Sequence, residues 1–569
     1  MKILGISCFY HDAAACLLVD GIMVAAAAEE RFSRIKHDNN FPKQAIAFCL
    51  SWLGITIEKV DAVVFYEKPI IKFHRVLSQY LENFPNGRKT FVESIGTWFD
   101  YKMNIGKLLK KEFNYSGPIR YCQQHLAHAA SAYYLSPFDR AVNVTFDGVG
   151  EWATTTVGLG NGSTIRIDRE IHFPHSLGLL YSAITAYLGF AVNDAEYKVM
   201  GLSAFGNPKP FRRHMDRLIN QFPDGSFRLN MQYFDYTWSN HMFSGNLVRL
   251  FGHPARKPES AMQPHYADIA ASLQAKLEAT IINLLNKVYS QYKIPNLTLA
   301  GGVALNAVAN GKILSQTPFK RLFIPPDPGD GGAAMGAAFW WNQAQGRALK
   351  LKSSVSFSPF LGPSFSREQI QSVIDHYQLS VQYIDDQKKF LDTLSHLLIK
   401  GNIVAWFQGR MEWGPRALGN RSILADPRNP KMKYVINEKV KHREQFRPFA
   451  PSVLLGAVKT YFKTDKNLPE STKYMILVYP FTKRGIRDVP ATVHVDGTGR
   501  LQTVARADNP LYYDLIATFG KKTGVPVLLN TSFNVRGEPI VCSPRDAIEC
   551  FLKTDIDILV MDRFIVKKS

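Results

Sequence analysis

No hydrophobic run in the 569 residues reaches the roughly 20 apolar positions that a membrane-spanning helix needs; Gly, Pro or a charge cuts each one short. The first apolar stretch, Ala13 to Ala28, is broken at Asp20-Gly21 and followed by Glu29-Glu30, so it reads as neither a signal peptide nor a span, and a cytoplasmic protein is expected. Paired cysteines are missing too. Cys8, Cys16, Cys49, Cys122, Cys542 and Cys550 stand singly, without a CxxC, which suits buried thiols in a reducing compartment better than a disulfide framework. With 39 Gly and 31 Pro there is no collagen-like or low-complexity bias, and 46% apolar against 20% charged residues excludes a disordered chain. Acidic residues are scarce relative to basic ones: 48 Asp/Glu face 68 Lys/Arg, a net charge of +20. Lys68–Arg120 and Gly401–Ala450 each hold ten basic residues against four acidic ones, an excess that suits either nucleic acid or small phosphorylated substrates.

At this length two or more domains are expected. KILGIS is a short β-rich run, and the strand-like stretches on either side of Asp20-Gly21 read as a hairpin. Phe41-Pro42 then opens a helix whose apolar face carries Ala45, Ile46, Cys49, Leu50 and Trp52. A second copy of the pattern starts at Ala141 to Asp147-Gly148, with a hairpin at Gly160-Asn161-Gly162, so the first half reads as internally duplicated. Between the copies, Phe73, Tyr80, Phe84, Phe91, Trp98, Phe99 and Tyr101 are expected on helix with rings toward the core. Ile269, Leu273, Leu277, Ile281, Leu284, Leu285 and Val288 recur every three or four residues on one long helix, followed by a strand at Asn296–Ala300 and a helix over Ala333–Ala344. Gly346 to Pro363, with Lys350, Lys352 and a run of serines, is read as a linker. The expected domains are 1–350 and 351–569, the latter with buried strands at Asn402–Phe407 and Pro526–Leu529 and helices over Lys388–Leu398 and Pro544–Leu552.

Three strand ends close on small or acidic residues: Ser7 to Asp12, Asp147 to Gly150, and Gly301-Gly302. Such turns bring backbone N–H groups close to a phosphate, and three of them in a duplicated fold point to a nucleotide. In Gln124-His125-Leu126-Ala127-His128, residues four apart share a helix face and can point at one ion, while Asp147 and Asp330 supply carboxylates; a mixed nitrogen and oxygen set suits iron, manganese or zinc. In the second half, Gly409-Arg410 through Arg416 to Arg421-Ser422, and Lys441-His442-Arg443 through Arg447-Pro448, gather guanidinium groups around Gly and Pro turns. That pattern suits bidentate phosphate binding. Asn530 to Asn534 adds amides and hydroxyls directly after a buried strand.

These residues closely resemble the antibiotic and nodulation-factor carbamoyltransferases, the family of the tobramycin and cephem enzymes. The matching motifs run along nearly the whole chain: Phe9-Tyr-His-Asp-Ala, Glu29 to Arg34, His125 to Tyr134, Lys198 to Leu202, Gly301 to Asn306, Gly414 to Ser422, Phe446 to Pro451 and Asn530 to Asn534. The resemblance implies an α/β protein with an N-terminal duplicated actin-like ATPase domain, similar to Kae-type proteins, and a C-terminal α/β domain similar to YrdC. It also implies ATP-dependent O-carbamoylation. The second domain would make carbamoyl adenylate from carbamoyl phosphate and ATP with Mg2+, and the first would move the carbamoyl group to a hydroxyl of a small natural-product acceptor.

By the same resemblance, Arg416, Lys441 and Arg447 are catalytic and bind phosphate together with Arg500, while Asn530 and Ser532 orient the nucleotide. Lys198, Gly301, Gly302 and Asn306 belong to the nucleotide site of the first domain. His11 is the candidate base, and His128, Asp147 and Asp330 match the ligands of Fe2+ or another divalent metal. The remaining His position of the family is Gln124 here. Three arrangements are open: Gln124 ligates through its carbonyl oxygen, His125 substitutes, or the site is metal-poor.

Competing readings are a tRNA-modifying threonylcarbamoyl enzyme and a non-catalytic nucleotide-binding module. Small phosphates account for the second-half arginines, so neither nucleic acid nor membrane is expected as a partner. Family members are often homodimers, though no sequence feature marks a dimer surface.

Overall fold

A computed structural model describes every residue except 89–91, 93–97, 99–102, 348, 350–356 and 569. Two compact units emerge. Met1–Glu29 and His37–Phe357 form the first, and Glu30–Lys36 with Ser358–Ser569 form the second. The expected linker core and the residue-350 boundary lie outside the described residues, as do Phe91, Phe99 and Tyr101.

The first unit contains one arrangement twice. Strands β1 (Lys2–Ser7), β2 (Ala14–Val19), β3 (Ile22–Ala28), β4 (Ala62–Phe65) and β5 (Ile119–Tyr121) lie in the order β3-β2-β1-β4-β5. β1 to β3 are antiparallel, whereas β4 and β5 continue parallel to β1. Strands β6 (Arg140–Phe146), β7 (Ala153–Asn161), β8 (Thr164–His172), β11 (Asn296–Ala300) and β12 (Arg321–Phe323) repeat it as β8-β7-β6-β11-β12, with the same directions. The short hairpin of β9 (Ile219–Gln221) and β10 (Phe227–Leu229) stands apart. This repeat of one five-stranded order is the internal duplication expected of the first half.

Both hairpins form at the dipeptides that ask for them: Asp20 and Gly21 have positive φ, as does Gly162. The long periodic helix runs Pro264–Tyr292 and buries every apolar position named above. Helices Gln124–Leu135 and Asp330–Ala344 pack on one another and on the sheets. Their approach is close enough that a Cβ on Gly336 would sit 1.8 Å from the Ala127 carbonyl oxygen.

Two expectations about rings fail. Trp52 is 40% exposed and Phe84 is 69% exposed, because each follows the last buried turn of its helix, Lys43–Trp52 and Pro69–Glu82 respectively. Trp98 is buried as expected, and all six cysteines are buried and free.

In the second unit an eight-stranded mixed sheet has the order β13-β22-β21-β14-β15-β20-β16-β19, with β13 (Val381–Tyr383), β14 (Val404–Phe407), β15 (Arg421–Ala425), β16 (Ala450–Leu454), β19 (Gln502–Val504), β20 (Val527–Ser532), β21 (Ile558–Met561) and β22 (Phe564–Lys567). β17 (Val478–Pro480) and β18 (Thr498–Arg500) form a separate ribbon. Both sheet faces are buried, and the strand period of two divides the side chains between them. Ala405 and Phe407 face a core with helices Arg367–His376 and Pro544–Leu552, while Val404 and Trp406 face one with helices Gln387–Ile399 and Pro510–Thr523.

Glu30–Lys36, placed by sequence in the first domain, belongs to the second unit. Arg31 Nη2 donates to the Gly414 carbonyl at 3.0 Å, and Arg34 donates to Ile540 and Pro539 at 2.7 and 2.9 Å. Phe32 packs with Met411, Ala417, Ile540 and Cys542. Among the described residues no helix is long and apolar enough to cross a membrane.

Overpacking the helix contact at Gly336 should unfold the first unit. Gly336→Val is expected to cost roughly 3 kcal/mol or more in urea denaturation, or to leave the protein insoluble, whereas Gly162→Ala, with open space at its Cβ, should cost about 1 kcal/mol through its positive φ alone.

Candidate active sites

In the first unit β6 ends at Phe146 and delivers Asp147, helix Gln124–Leu135 carries Gln124 and His128 on one face, and helix Asp330–Ala344 opens with Asp330. One nitrogen of His128 and one oxygen each of Asp147 and Asp330 lie within 4.8 Å of one another. His128 Nε2 is 3.4 Å from Asp147 Oδ2 and 3.3 Å from Asp330 Oδ1, and no hydrogen bond closes on either ring nitrogen. Burial works to lower the proton affinity of His128, but the two carboxylates prevail and lift its pKa to about 10. Asp147, opposed by its own burial, is held well below the usual carboxylate range by His128.

Gln124 Nε2 donates to Asp147 Oδ2 at 3.0 Å and to Asp330 Oδ1 at 2.7 Å, the same two oxygens that face His128. Its Oε1 is buried without a partner. His125 stands outside the cluster: its Nδ1 pairs with Thr145 Oγ1 at 2.6 Å, and that hydroxyl continues to Thr156. Substitution of His125 for the missing ligand is therefore not what the structure shows; one step along the helix turns its ring to β6 and β7.

The glycine pair orients this cluster. Gly301 has φ +90°, and a Cβ there would sit 2.2 Å from the Phe146 carbonyl oxygen, so only glycine lets the end of β11 close on the end of β6. Gly302 N–H then donates to Asp147 Oδ1 at 2.9 Å, which commits to a carboxylate a donor expected to face phosphate. Asn306 is likewise committed. Its carbonyl oxygen accepts from Ala309 N–H and Gln274, and its amide donates back to Gln274. Lys198 lies over the Phe190 ring at 5.6 Å. His11, in the loop between β1 and β2, holds Asp12 Oδ2 through Nδ1 at 2.8 Å and the Asn193 carbonyl through Nε2. Although burial opposes it, Asp12 raises the His11 pKa to about 10.

In the second unit the chain after helix Met432–Ile436 widens into a π turn, Asn437–Lys441, and reverses at His442 with φ 45°. That turn drives Lys441 inward. Its buried ammonium donates to the Ser532 carbonyl, to Asn534 O at 2.9 Å and to Asn534 Oδ1 at 2.8 Å, beside Ser532 Oγ. Burial first, and then Arg443 and Arg447, push its pKa well below the lysine range. Arg500, at the end of β18, is depressed in the same way by burial and then by Arg416, Arg443 and Arg447. Arg500 Nε is buried with no hydrogen-bond partner, Arg443 Nε donates to Asn437 Oδ1 at 2.7 Å, and Arg447 pairs with Glu444 at 3.9 Å. Five cations thus share one neighbourhood, an arrangement that is stable only with compensating dipoles or an anion. Asn530 is more deeply placed, donating to Gln502 Oε1 at 2.9 Å with its own Oδ1 buried and unpaired.

Not every arginine of the motif serves this cluster. Arg421 is fully buried and donates to the carbonyls of Gln408, Asn420, Pro363 and Gly409, with its guanidinium 3.6 Å from the Phe407 ring centroid. Arg410 donates to the carbonyls of Gly362 and Leu361. Both were expected to bind phosphate from their sequence setting, yet backbone oxygens take their donors. Glu412, the lone acid of the stretch, accepts the N–H groups of Leu418, Asn420 and Arg421 and so shapes the loop that carries Arg416.

Residues 2–339 match the family model described as carbamoyltransferase N-terminus, and residues 395–568 match that described as carbamoyltransferase C-terminus. The chain belongs to the carbamoyltransferase family. This carbamoyltransferase is 36% identical to nodulation protein NolNO of Sinorhizobium fredii over 98% of its own length and 79% of the relative's. It is 45% identical to the uncharacterized protein sll1178 of Synechocystis over 100% of its length and 97% of the relative's. A solved structure of HypF from T. kodakarensis aligns with 61% of this chain and 48% of its own at 15% identity and a TM-score of 0.32.

The division among the arginines is testable. Arg421→Met should lower stability in urea denaturation by roughly 3 kcal/mol, since several buried carbonyls lose their donor; a variant as stable as the parent would place Arg421 among the ligand-binding cations instead.

Proposed function

We propose that the two sites divide ATP-dependent carbamoylation between them. In the second unit carbamoyl phosphate is hydrolysed to carbamate and phosphate. A carbamate oxygen then attacks the α-phosphorus of ATP, so that a new O–P bond forms as pyrophosphate leaves, giving carbamoyl adenylate. In the first unit an acceptor hydroxyl attacks the carbamoyl carbon; the bond to AMP breaks, and the hydroxyl proton passes to a base. The observation that carries this reading is the cluster of Lys441, Arg416, Arg443, Arg447 and Arg500, in which burial and then the neighbouring guanidinium groups depress Lys441 and Arg500. Two anionic reactants repel, and preorganised cations offset that repulsion while stabilising the charge that develops on pyrophosphate. Ser532 and Asn534 hold Lys441 in place, and Asn530, two residues before Ser532 on β20, is fixed by Gln502.

His128, Asp147 and Asp330 fit a divalent ion. Two ligands each about 2.0–2.2 Å from one ion lie roughly 3.0–3.5 Å apart, and the His128 nitrogen stands 3.3 and 3.4 Å from the two carboxylate oxygens. Gln124 fits as the fourth ligand once its amide turns, which brings the orphaned Oε1 to the carboxylates and takes the Nε2 donor away. Bound there, the ion would polarise the carbamoyl carbonyl as a Lewis acid. His11 is the base. The proton that its Nε2 now holds toward the Asn193 carbonyl must leave first, after which Asp12 keeps Nδ1 protonated and Nε2 open for the acceptor's proton. The acceptor is a small-molecule alcohol.

Incubation with ATP and carbamoyl phosphate alone should release pyrophosphate. Arg447→Ala should abolish that release, and Arg500→Met should weaken carbamoyl phosphate binding by roughly 10- to 100-fold; undiminished release from Arg447→Ala would contradict the assignment.

The metal reading has its own readout in elemental analysis of freshly purified protein. Gln124→His should retain more divalent metal than the parent through a dialysis series against chelator, because an imidazole replaces a neutral amide oxygen. Equal retention would remove Gln124 from the ligand set.

A further inference from the structure

The loop that carries His11 is fastened to a second loop that the chemistry above does not use. Phe9 N–H donates to the Asn39 carbonyl at 2.7 Å and Ala13 N–H to the Asp38 carbonyl at 2.8 Å, zipping residues 9–13 to residues 38–39. Phe9 and His37 both have positive φ, 74° and 54°, a region that side-chain-bearing residues adopt only when their surroundings hold them there. The consequence lies at Asp12. Its Oδ2 takes His11 Nδ1 and its Oδ1 takes His37 Nδ1, each at 2.8 Å, and the two imidazole rings stand 4.8 Å apart. His37 Nε2 reaches on to Asp194 Oδ1 at 3.1 Å. Asp194 follows Asn193, whose carbonyl holds the other nitrogen of His11. With the Asn193 carbonyl, the side chains of His11, Asp12, His37 and Asp194 therefore close a ring of contacts in which each carboxylate is fixed by an imidazole and each imidazole by two oxygens.

We propose that His37 is a positioning residue for carbamoyl transfer: by holding one oxygen of Asp12, and being held in turn by Asp194, it aims the other oxygen at His11 Nδ1 and so fixes the tautomer and plane of the His11 ring. The inference rests on the reading of His11 as the base. A carboxylate with one imidazole partner rotates about its Cα–Cβ and Cβ–Cγ bonds, and its oxygens exchange. With a second donor on the far oxygen that rotation costs a hydrogen bond, and the orienting oxygen stays in place, the role that outer partners play for ligating or catalytic imidazoles generally. His37 can hold both donors because, against its burial, Asp12 and Asp194 raise its pKa to about 9, so both ring nitrogens carry protons at neutral pH. Asp327, a further acid near Asp12, accepts from Gly329 N–H, and its own pKa is lifted to about 7 by burial and then by Asp12.

The test uses the full-length protein with 15N-labelled histidine, the His11 ring signals being assigned by their loss in His11→Gln. In the parent the His11 Nδ1–H should appear as a downfield proton in slow exchange with water. His37→Ala should raise its exchange rate at least tenfold or broaden it away, and His37→Asn, which keeps an N–H near the place of Nδ1, should restore most of the protection. Asp12→Asn should abolish the signal whatever stands at position 37. In parallel, transfer of 14C-carbamoyl groups from carbamoyl phosphate to a panel of small alcohols should show kcat lowered roughly 10- to 100-fold in His37→Ala with the acceptor KM unchanged. Pyrophosphate release by the second unit should stay at the parental level, and an unchanged urea denaturation profile reports that the first unit is folded in the variant. An unchanged His11 Nδ1–H in His37→Ala would overturn the inference, with or without an acceptor in hand. A lost signal with undiminished transfer would instead overturn the reading of His11 as base and leave the contact network as found.

Discussion

Charges of one sign cannot be crowded together without compensation, and this protein does it twice, with opposite signs. Asp147 and Asp330 converge on His128 in the first unit; Lys441, Arg416, Arg443, Arg447 and Arg500 converge in the second. Burying an uncompensated ion costs several kcal/mol even after relaxation. In the acidic cluster the offset comes from a proton on His128 and the amide of Gln124. In the basic cluster it comes from the oxygens of Ser532 and Asn534 around Lys441, from Asn437 at Arg443, and in part from Glu444 beside Arg447. Neutral dipoles restore the hydrogen bonds lost from water but leave the net charge in place. A residual field of that kind is what draws a counter-charged ligand into a site.

Holding such clusters together demands rigid attachment. In the first unit the attachment points are ends of regular elements: the last residue of β6 precedes Asp147, Gly301 follows β11, and Asp330 starts a helix. In the second unit much of the cationic side chain set sits on loops, and the loops are stiffened from beneath. Glu412 gathers three backbone N–H groups, and Arg421 gathers four carbonyls, so that the segment from Gly409 to Asn420 is held by one acid and one base. Two arginines five residues apart, Arg416 and Arg421, thus have different work, one exposed to the cluster's field and the other bracing the loop that presents it.

That difference marks where sequence reading stops. Elements with strong local signals were legible: the Asp20-Gly21 hairpin, the helix Pro264–Tyr292 with its three-and-four spacing, and β11 with its terminal glycines. The duplication was visible as two β-rich runs followed by hairpins, because antiparallel neighbours are close in sequence. The full strand order was not, since β4 joins β1, and β11 joins β6, across long crossovers. The metal-type cluster was legible in part: the spacing of Gln124 and His128 fixes a shared helix face, but whether His125 turns toward it depends on Thr145, which only the fold brings near. Nor does composition tell a guanidinium facing carbonyls from one facing other guanidiniums. His37, 25 residues beyond Asp12, and the membership of Glu30–Lys36 in the second unit are tertiary facts with no local trace.

The opposite signs of the two clusters also bear on why one site would not serve for both halves of the proposed reaction. Joining two anions calls for cations, and those cations lower the proton affinity of any base placed among them; Lys441 and Arg500 are themselves pushed down by burial and then by their neighbours. Removing a proton from an alcohol calls for the reverse setting, a base whose proton affinity is raised. His11 has it, because Asp12 overcomes the effect of burial. An imidazole moved into the basic cluster would be neutral yet feeble as a base, and carbamoyl phosphate moved beside Asp12, Asp147 and Asp330 would be repelled. Sign of charge therefore separates the chemistry into two sites, and a chain with a dedicated unit for each sign satisfies both requirements without either cluster compromising the other.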